Sequence, residues 1–424
     1  VDIVDELGGG ATKDVGQSRK PSRHNPFATL GHAKAVERPR FTPAEVGLIA
    51  TAAAIVFTRV FAFSLVLPGF HAYGLTLTSN EVLIGVALGA YALTMALAQL
   101  AMGILSDRLG RRRIILLGSA LFVAGSIWAA NTHSISQLIA ARLLQGLGGV
   151  SSAAMAAVGE TVPEERRTMA MALVGIPAGA GFFAGFVLGP ILAPYVDGMP
   201  GLFWFTAVLG VVAVMPLLVR PLPAALPHLV APGDRRSLTL PVMSLAAAGF
   251  TINFGMSAIA DYLDKVASLL THTLLALILL AAFAVMAVVS RGVDRSRSSW
   301  QPIVAALLVL AAGAPLFILG GSTSILLAGG VAFFAGHSVL SAVLPSQVSR
   351  LAGRSGGRGH GIQLVVAYLG TAAGGPVAGR FYGTPAWTFV VLGALAAFTA
   401  TLVVMSLRPL QSRAPAASAS SEAS

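Results

Sequence analysis

Apolar blocks recur along this chain from residue 46 to residue 407, separated by short charged stretches. Each block is about the length a helix needs to cross a ~30 Å hydrocarbon core. A backbone immersed in lipid must satisfy its N–H and C=O groups internally, which leaves helices or a closed barrel. Barrel strands need only about 10 residues and alternate in polarity, so blocks this long specify helices. Composition agrees: 55% of the 424 residues are hydrophobic and 11% are charged, against roughly 25% charged in soluble domains. The expectation is an all-α membrane protein with 12 spans. They are placed at 46–68, 82–104, 113–130, 135–158, 168–195, 202–219, 239–260, 267–289, 301–320, 323–348, 361–380 and 385–407.

The stretches outside the blocks set the domain organisation. Residues 1–45 are polar and carry both charge signs, so a disordered N-terminal tail is expected. Residues 46–219 form one six-helix bundle and 239–407 a second. Between them, 220–238 holds four prolines and the Arg235-Arg236 pair and reads as a linker; 408–424, rich in Ala, Ser and Pro, reads as a second tail. With no apolar stretch in 1–45, the first span is expected to serve as the insertion signal.

The net charge of +11 would suit a nucleic-acid partner, but its placement argues against one. Seven Lys and Arg lie in 1–45, four between spans 2 and 3, two between 4 and 5 and three in the linker. Three more lie between spans 8 and 9, three between 10 and 11 and two in the C-terminal tail. With twelve crossings all of these fall on one side, which the positive-inside bias makes cytoplasmic, together with both termini. The chain has no Cys, which removes disulfides and thiolate chemistry. No HExxH, phosphate-binding glycine loop or nucleophile elbow is present. No enzyme activity, cofactor or metal site is expected.

The halves echo each other. Phe57–Ser64 in span 1 is similar to Phe250–Ser257 in span 7, Asp107-Arg108 to Asp294-Arg295, and Gly189-Pro190 in span 5 to Gly375-Pro376 in span 11. Nearly constant offsets suggest a duplicated six-span unit with a site between its copies.

Three local patterns carry mechanism. Between spans 2 and 3 runs Gly103-Ile-Leu-Ser-Asp-Arg-Leu-Gly-Arg-Arg-Arg113. In physical terms, Gly103 would let a neighbouring helix approach closely. Asp107 would face a helix N-terminus or pair with an arginine. Gly110 would permit a tight turn, and Arg111, Arg112 and Arg113 would hold the loop at an anionic leaflet. Span 4 carries Arg142-Leu-Leu-Gln145-Gly146, a cation within an apolar block and a functional candidate on cost alone; the bland reading is a side chain snorkelling to the interface. Span 5 reads Gly181-x3-Gly185-x3-Gly189-Pro190, a small-residue stripe that predicts tight packing on another helix.

These patterns resemble the major facilitator superfamily. Gly103, Leu105, Asp107, Arg108, Gly110, Arg111 and Arg112 match its loop signature G-x-L-a-D-r-x-G-r-k-x-x-l; Arg142, Gln145 and Gly146 match its R-x-x-q-G pattern. Span 5 is similar to the antiporter signature G-x-x-x-G-P-x-x-G-G, with Ala193-Pro194 replacing the closing glycines. The stretch from Arg59 to Pro68, then Tyr73-Gly74, is similar to span 1 of bacterial drug-efflux-type members. The resemblance implies the superfamily's fold in a bacterial inner membrane. It implies a 103–113 loop that latches the halves in an outward-facing state, and an Arg142 that lies near the central cavity and modulates proton transfer. The implied function is proton-coupled export of small amphiphilic compounds by a monomer.

One expectation of that reading meets a difficulty. No Asp or Glu lies mid-span: Glu81, Glu160, Asp261 and Asp264 all sit near span ends. Asp261 is the first carboxylate candidate for coupling, although a solvated helix end would explain it equally. His337 in span 10 is the other, as an imidazole titrates near neutral pH. Asn253 and Gln363 are neutral cavity candidates, and Gln99 suits interhelical hydrogen bonding. Alternatively, Arg59 and Arg142 make the cavity positive, which suits uptake or exchange of an anionic metabolite.

Overall fold

The computed structural model describes residues 41–219, 239–266, 271–295, 300–352 and 356–412. Residues 1–40 and 413–424 of the expected tails, and all but the last residue of the gap 220–239, lie outside the described residues.

Among the described residues the chain forms thirteen α-helices and no strand: α1 Pro43–Leu77, α2 Glu81–Leu109, α3 Arg111–Ala130, α4 Ile135–Leu147, α5 Ser151–Thr161, α6 Glu164–Leu192, α7 Gly198–Val219, α8 Leu240–Ala260, α9 His272–Arg295, α10 Gln301–Leu319, α11 Thr323–Ala352, α12 Gly356–Arg380 and α13 Ala386–Ser412. Eleven stretches, with Ile135–Thr161 counted as one, are long and apolar enough to cross a membrane; Thr273–Val289 in α9 is apolar but shorter. This is an all-α, multi-pass membrane fold.

Several boundaries differ from expectation for local reasons. Helix α1 starts at Pro43 because a capping box precedes it: the Glu45 amide donates to Thr42 Oγ1 at 3.2 Å and the Thr42 amide to the Glu45 carboxylate at 2.7 Å. Helix α13 runs to Ser412, into the stretch expected as tail. The fourth span is not continuous: it breaks between Leu147 and Ser151, at Gly148-Gly149-Val150. These glycines sit where helices nearly touch. A methyl group at Gly146 would overlap Thr94 and the Tyr91 carbonyl, and one at Gly148 would overlap the Gly118 carbonyl and Phe122.

In lipid, helices do not associate to escape water. Close van der Waals contact, favoured by small residues, does that work instead. Helix α6 packs extensively on α1, and α12 on α8. On α6, methyl groups at Gly181, Gly185 and Gly189 would collide with Phe57, with Phe61 and Ser64, and with Leu65 of α1 respectively. On α12, Gly370 meets Phe250 and Gly374 meets Phe254 and Ser257 of α8. The same rings stack in both halves: Phe57 on Phe61 at 5.3 Å and Phe250 on Phe254 at 6.2 Å.

This pattern corrects one part of the repeat. By contact, the counterparts of Gly181 and Gly185 are Gly370 and Gly374, so Gly375-Pro376 does not correspond to Gly189-Pro190. Gly375 faces Gly85 of α2 instead. Residues 290–299 have no described side chains, so the Asp294-Arg295 echo lies outside what can be compared.

Helices α2 and α12 join the two six-span halves. Gly85 lies against Gly375, Gly89 against Ala372, and Gly379 against Glu81. All three contacts gather at the N-terminal part of α2 and the C-terminal part of α12, so the halves meet at the end of the bundle where the α1–α2 turn lies.

Candidate functional site

Two buried arginines converge on one face of α3. Ser119, Phe122 and Ser126 lie at i, i+3 and i+7, a spacing that aligns them along a helix. Arg59 of α1 is 2% exposed. Its Nη2 donates to Ser119 Oγ at 3.1 Å, and its guanidinium carbon lies 3.8 Å from the Phe122 ring centroid. Arg142 of α4 is fully buried, which excludes snorkelling. Its Nη1 donates to Gln145 Oε1 at 2.5 Å, and Gln145 Nε2 donates to Ser126 Oγ at 2.8 Å.

Ring faces supply most of the remaining environment of Arg142: Tyr91 at 4.6 Å, Phe70 at 5.6 Å and Phe203 at 5.8 Å. Such contacts are worth about 2 kcal/mol or more when desolvated. They do not neutralise the charge. Neither arginine has a carboxylate partner among the described residues, and Nε and Nη1 of Arg59 and Nε and Nη2 of Arg142 have no hydrogen-bond partner there. An uncompensated buried cation is costly unless something else balances it.

Tyr91 of α2 stands between them. Its hydroxyl donates to the Arg59 carbonyl at 3.4 Å while its ring lies under Arg142. It also walls a central chamber of about 160 Å³. Both halves line that chamber: Arg59, Val60 and Phe63 from α1, Tyr91, Ala92 and Met95 from α2, and Phe182 from α6 face Asn253 and Met256 of α8, His337 and Ser341 of α11, and Tyr368 and Thr371 of α12. Asn253 donates to the Gly249 carbonyl at 2.9 Å and accepts from Thr371 at 3.5 Å, tying α8 to α12 at the wall. The His337 ring stacks on Phe182 at 5.6 Å.

A second cavity of about 1030 Å³ adjoins the first, sharing Val60, Phe182, His337 and Ser341 with it. It lies between α6, α9 and α11 and is almost wholly apolar. Among the described residues, no acidic side chain lines either space.

At the end where α2 and α12 meet, side chains from both halves interlock. His71 of α1 contacts Glu81 at 2.6 Å and stacks on Tyr382 at 4.3 Å. Tyr382 stacks on Tyr262 at 5.6 Å, and Lys265 Nζ lies 4.0 Å over the Tyr382 ring. Asp261, at the C-cap of α8, is 1% exposed rather than solvated, and it lines neither cavity. The side chain of Asp264 lies outside the described residues.

The loop expected as a latch lies at the far end of α2. Gly110 has φ +93°, a conformation that glycine adopts freely, and separates α2 from α3. Arg111 pairs with Asp107 at 2.5 Å and with both oxygens of Glu160 on α5, and also reaches Ser106. Arg112 donates to the Leu217 and Leu218 carbonyls at the end of α7, at 2.9 and 3.2 Å. Arg108 is exposed. Two expectations change here. A methyl group on Gly103 would come no nearer than 3.9 Å to Ser152, so Gly103 permits no close helix approach. Arg111 and Arg112 serve the protein's own carboxylates and carbonyls, because those groups end helices within their reach. Gln99 links helices as expected: Ser152 donates its amide to Gln99 Oε1 at 2.9 Å.

The sequence singled out Arg59, Arg142, Gln145, Asn253 and His337; Arg59, Asn253 and His337 line the chamber, whereas Arg142 lies behind the Tyr91 ring with Gln145 bonded to it and lines neither cavity. Asp261 does not join them. Tyr91, Phe122, Phe182 and Tyr368 were missed, since a ring inside an apolar block reads the same whether it faces lipid or a cavity. A usable signal existed for Tyr91 and Tyr368: a hydroxyl mid-span needs a partner. Glu45, whose carboxylate also pairs with Arg166 of α6 at 3.1 Å, was hidden by its assignment to the tail.

Comparison with known proteins adds the family context. The sequence profile described as Major Facilitator Superfamily matches residues 48–374. Inner membrane transport protein YajR of Escherichia coli (strain K12) is 41% identical over 157 residues, 37% of this chain and 34% of the relative. Multidrug resistance protein D of the same organism is 30% identical over 164 residues, 38% of this chain and 39% of the relative. The chain thus spans between about a third and two fifths of the length of such curated relatives. In fold it is similar to the crystal structure of the human organic anion transporter MFSD10 (TETRAN). The TM-score is 0.61 at 21% identity, covering 85% of this chain and all of that one.

Proposed function

This chain belongs to the major facilitator superfamily, and on that premise we propose that it is a secondary transporter that exports small amphiphilic compounds by alternating access, coupled to protons. The observation that carries the reading is the central chamber, whose wall is divided between α1, α2 and α6 of one half and α8, α11 and α12 of the other. A site shared by two rocking halves is exposed to one side and then the other as they tilt. Aromatic and aliphatic walls with a few polar groups suit an amphiphilic ligand.

The positive-inside distribution of Lys and Arg supports cytoplasmic termini. On that orientation, the interlocked end at His71, Glu81 and Tyr382 is periplasmic, and this conformation is closed to the outside. The partners of Asp107, Arg111 and Arg112 all lie in the first half, as suits a latch that engages the second half in the opposite state. His337 lines both cavities, which supports it as the group that carries the coupled proton. The names of relatives such as Multidrug resistance protein D support export.

The test is transport in proteoliposomes carrying a pH gradient. Accumulation of a lipophilic dye that depends on the gradient and on Arg142 supports the reading. Flux that ignores the gradient removes proton coupling. A flat response across a broad panel, with the protein verified in the bilayer, removes export.

A second reading, uptake or exchange of an anionic metabolite, is favoured by one specific observation: both buried cations lack a carboxylate partner among the described residues.

A further inference from the structure

The two cavities differ sharply in chemistry, and the difference has a direction. The small chamber has a buried cation in its wall and a second one behind Tyr91, with no acidic residue among the described ones to balance either. The large cavity is apolar and lies against α6, α9 and α11. Together they make one elongated space with a positive end and a greasy end.

The glycines of α6 divide into two sets. Gly181, Gly185 and Gly189 are in hard contact with α1. Gly175 and Gly179, one turn apart on the cavity wall, have nothing within 4 Å of where a Cβ would stand. Glycine inside a helix costs about 1 kcal/mol relative to alanine, and here no neighbouring helix requires it. What it leaves is volume.

The cavity also has a side door. Ile176 of α6 and Leu280 of α9 line it and are 68% and 67% exposed. The Phe183 and Phe283 rings meet edge-on across that seam at 5.6 Å. The pseudo-symmetric seam between α2 and α12 is closed backbone to backbone through Gly85 and Gly375. One seam is zipped and the other rests on an aromatic contact.

We propose that this space takes a single-chain amphiphile with one negative charge, its head at the Arg59 end of the chamber and its chain along the α6–α9–α11 cavity, admitted from the bilayer through the Phe183–Phe283 seam. The proposal rests on the transporter reading and names the substrate class of that site. An anion supplies the charge that the protein withholds from Arg59 and Arg142. A chain in the apolar cavity replaces lipid contacts with protein contacts. Admission between α6 and α9 spares the chain any passage through water.

The test uses full-length protein in nanodiscs and a dodecanoate bearing a diazirine near its chain end. After photolysis, labelled peptides are mapped by mass spectrometry, with dodecanoate, dodecyltrimethylammonium and dodecanol as competitors. Labelling is expected within 175–188, 276–286 and 337–342, and dodecanoate should compete about tenfold or more better than the cation, as a single ion contact at low dielectric allows. Gly179→Phe, which fills open space, should reduce labelling several-fold with an unchanged unfolding temperature. Because the chain contains no Cys, Phe183→Cys with Phe283→Cys can be bridged by a short bis-thiosulfonate. Bridging should block labelling until reductant is added.

Equal competition by all three amphiphiles, or label scattered over lipid-facing helices, overturns the site. Labelling that survives the bridge overturns entry from the bilayer. Binding needs no flux, so the two readings fail separately. Saturable labelling without transport of any compound would sink the transporter reading alone, and transport without anion preference would sink this one alone.

Discussion

Arg142 is held by ring faces and one amide oxygen rather than by a counter-ion, and that arrangement makes distinct demands on its substitutes. Arg142→Ala leaves a void among Phe70, Tyr91 and Phe203 and strands the Gln145 carbonyl oxygen. We expect a loss of about 2–4 kcal/mol in stability, in the range of large-to-small buried substitutions, and flux reduced to background. Arg142→Lys keeps the charge but not the planar group that stacks on rings and donates along an edge. It should fold with near-normal stability and still transport at least about tenfold more slowly. Thermal unfolding in detergent and proteoliposome flux, measured on the same samples, separate the two effects. The arginine and Gln145 were legible in the sequence because polar groups stand out in an apolar block. Tyr91 and Phe122 were not, since nothing in a local pattern tells which way a ring faces until the partner helix is known.

At the scale of the element, glycine position matters more than glycine count. Gly185 sits against Ser64 and the Phe61 carbonyl, whereas Gly179 borders open space. Gly185→Val should therefore force α6 off α1 and destabilise the fold by about 1–3 kcal/mol, the range for overpacking. Gly179→Val should change stability by no more than about 0.5 kcal/mol. Chemical or thermal unfolding of the two variants side by side checks the contrast; equal losses would contradict it. The stripe on α6 was readable because its four-residue spacing is a property of the helix itself. Gly103 was misread for the opposite reason: its neighbour Ser152 belongs to α5, and the spacing between two helices is not written in the local pattern of either. The register of the repeat failed at Gly375 likewise, because that glycine serves α2 rather than α8.

Over the whole molecule, the proposed function has two halves that rock about a shared chamber, with the His71–Glu81–Tyr382–Tyr262–Lys265 cluster keeping one end closed. The multi-pass helical class, eleven of the twelve expected spans and the superfamily were legible, being written in block length and in one loop. The closing cluster was not: Tyr382 lies more than 300 positions from His71 in sequence, and the stack between them exists only through the fold. Tyr382→Ala removes a ring that bridges His71 and Tyr262. It should shift the population toward the state open at that end, seen as severalfold faster alkylation of a cysteine at position 253 from the outer side. The most direct test of rocking uses Ser341, which lines both cavities, in a chain with no native cysteine. Ser341→Cys protein is exposed to a membrane-impermeant maleimide in inside-out and right-side-out vesicles, with and without a pH gradient. Rocking halves should give fast labelling from the cytoplasmic side at rest and gradient-dependent labelling from the outer side, with the two rates changing in opposite directions. Labelling from both sides with no such exchange, or from one side only under every gradient, would contradict rocking.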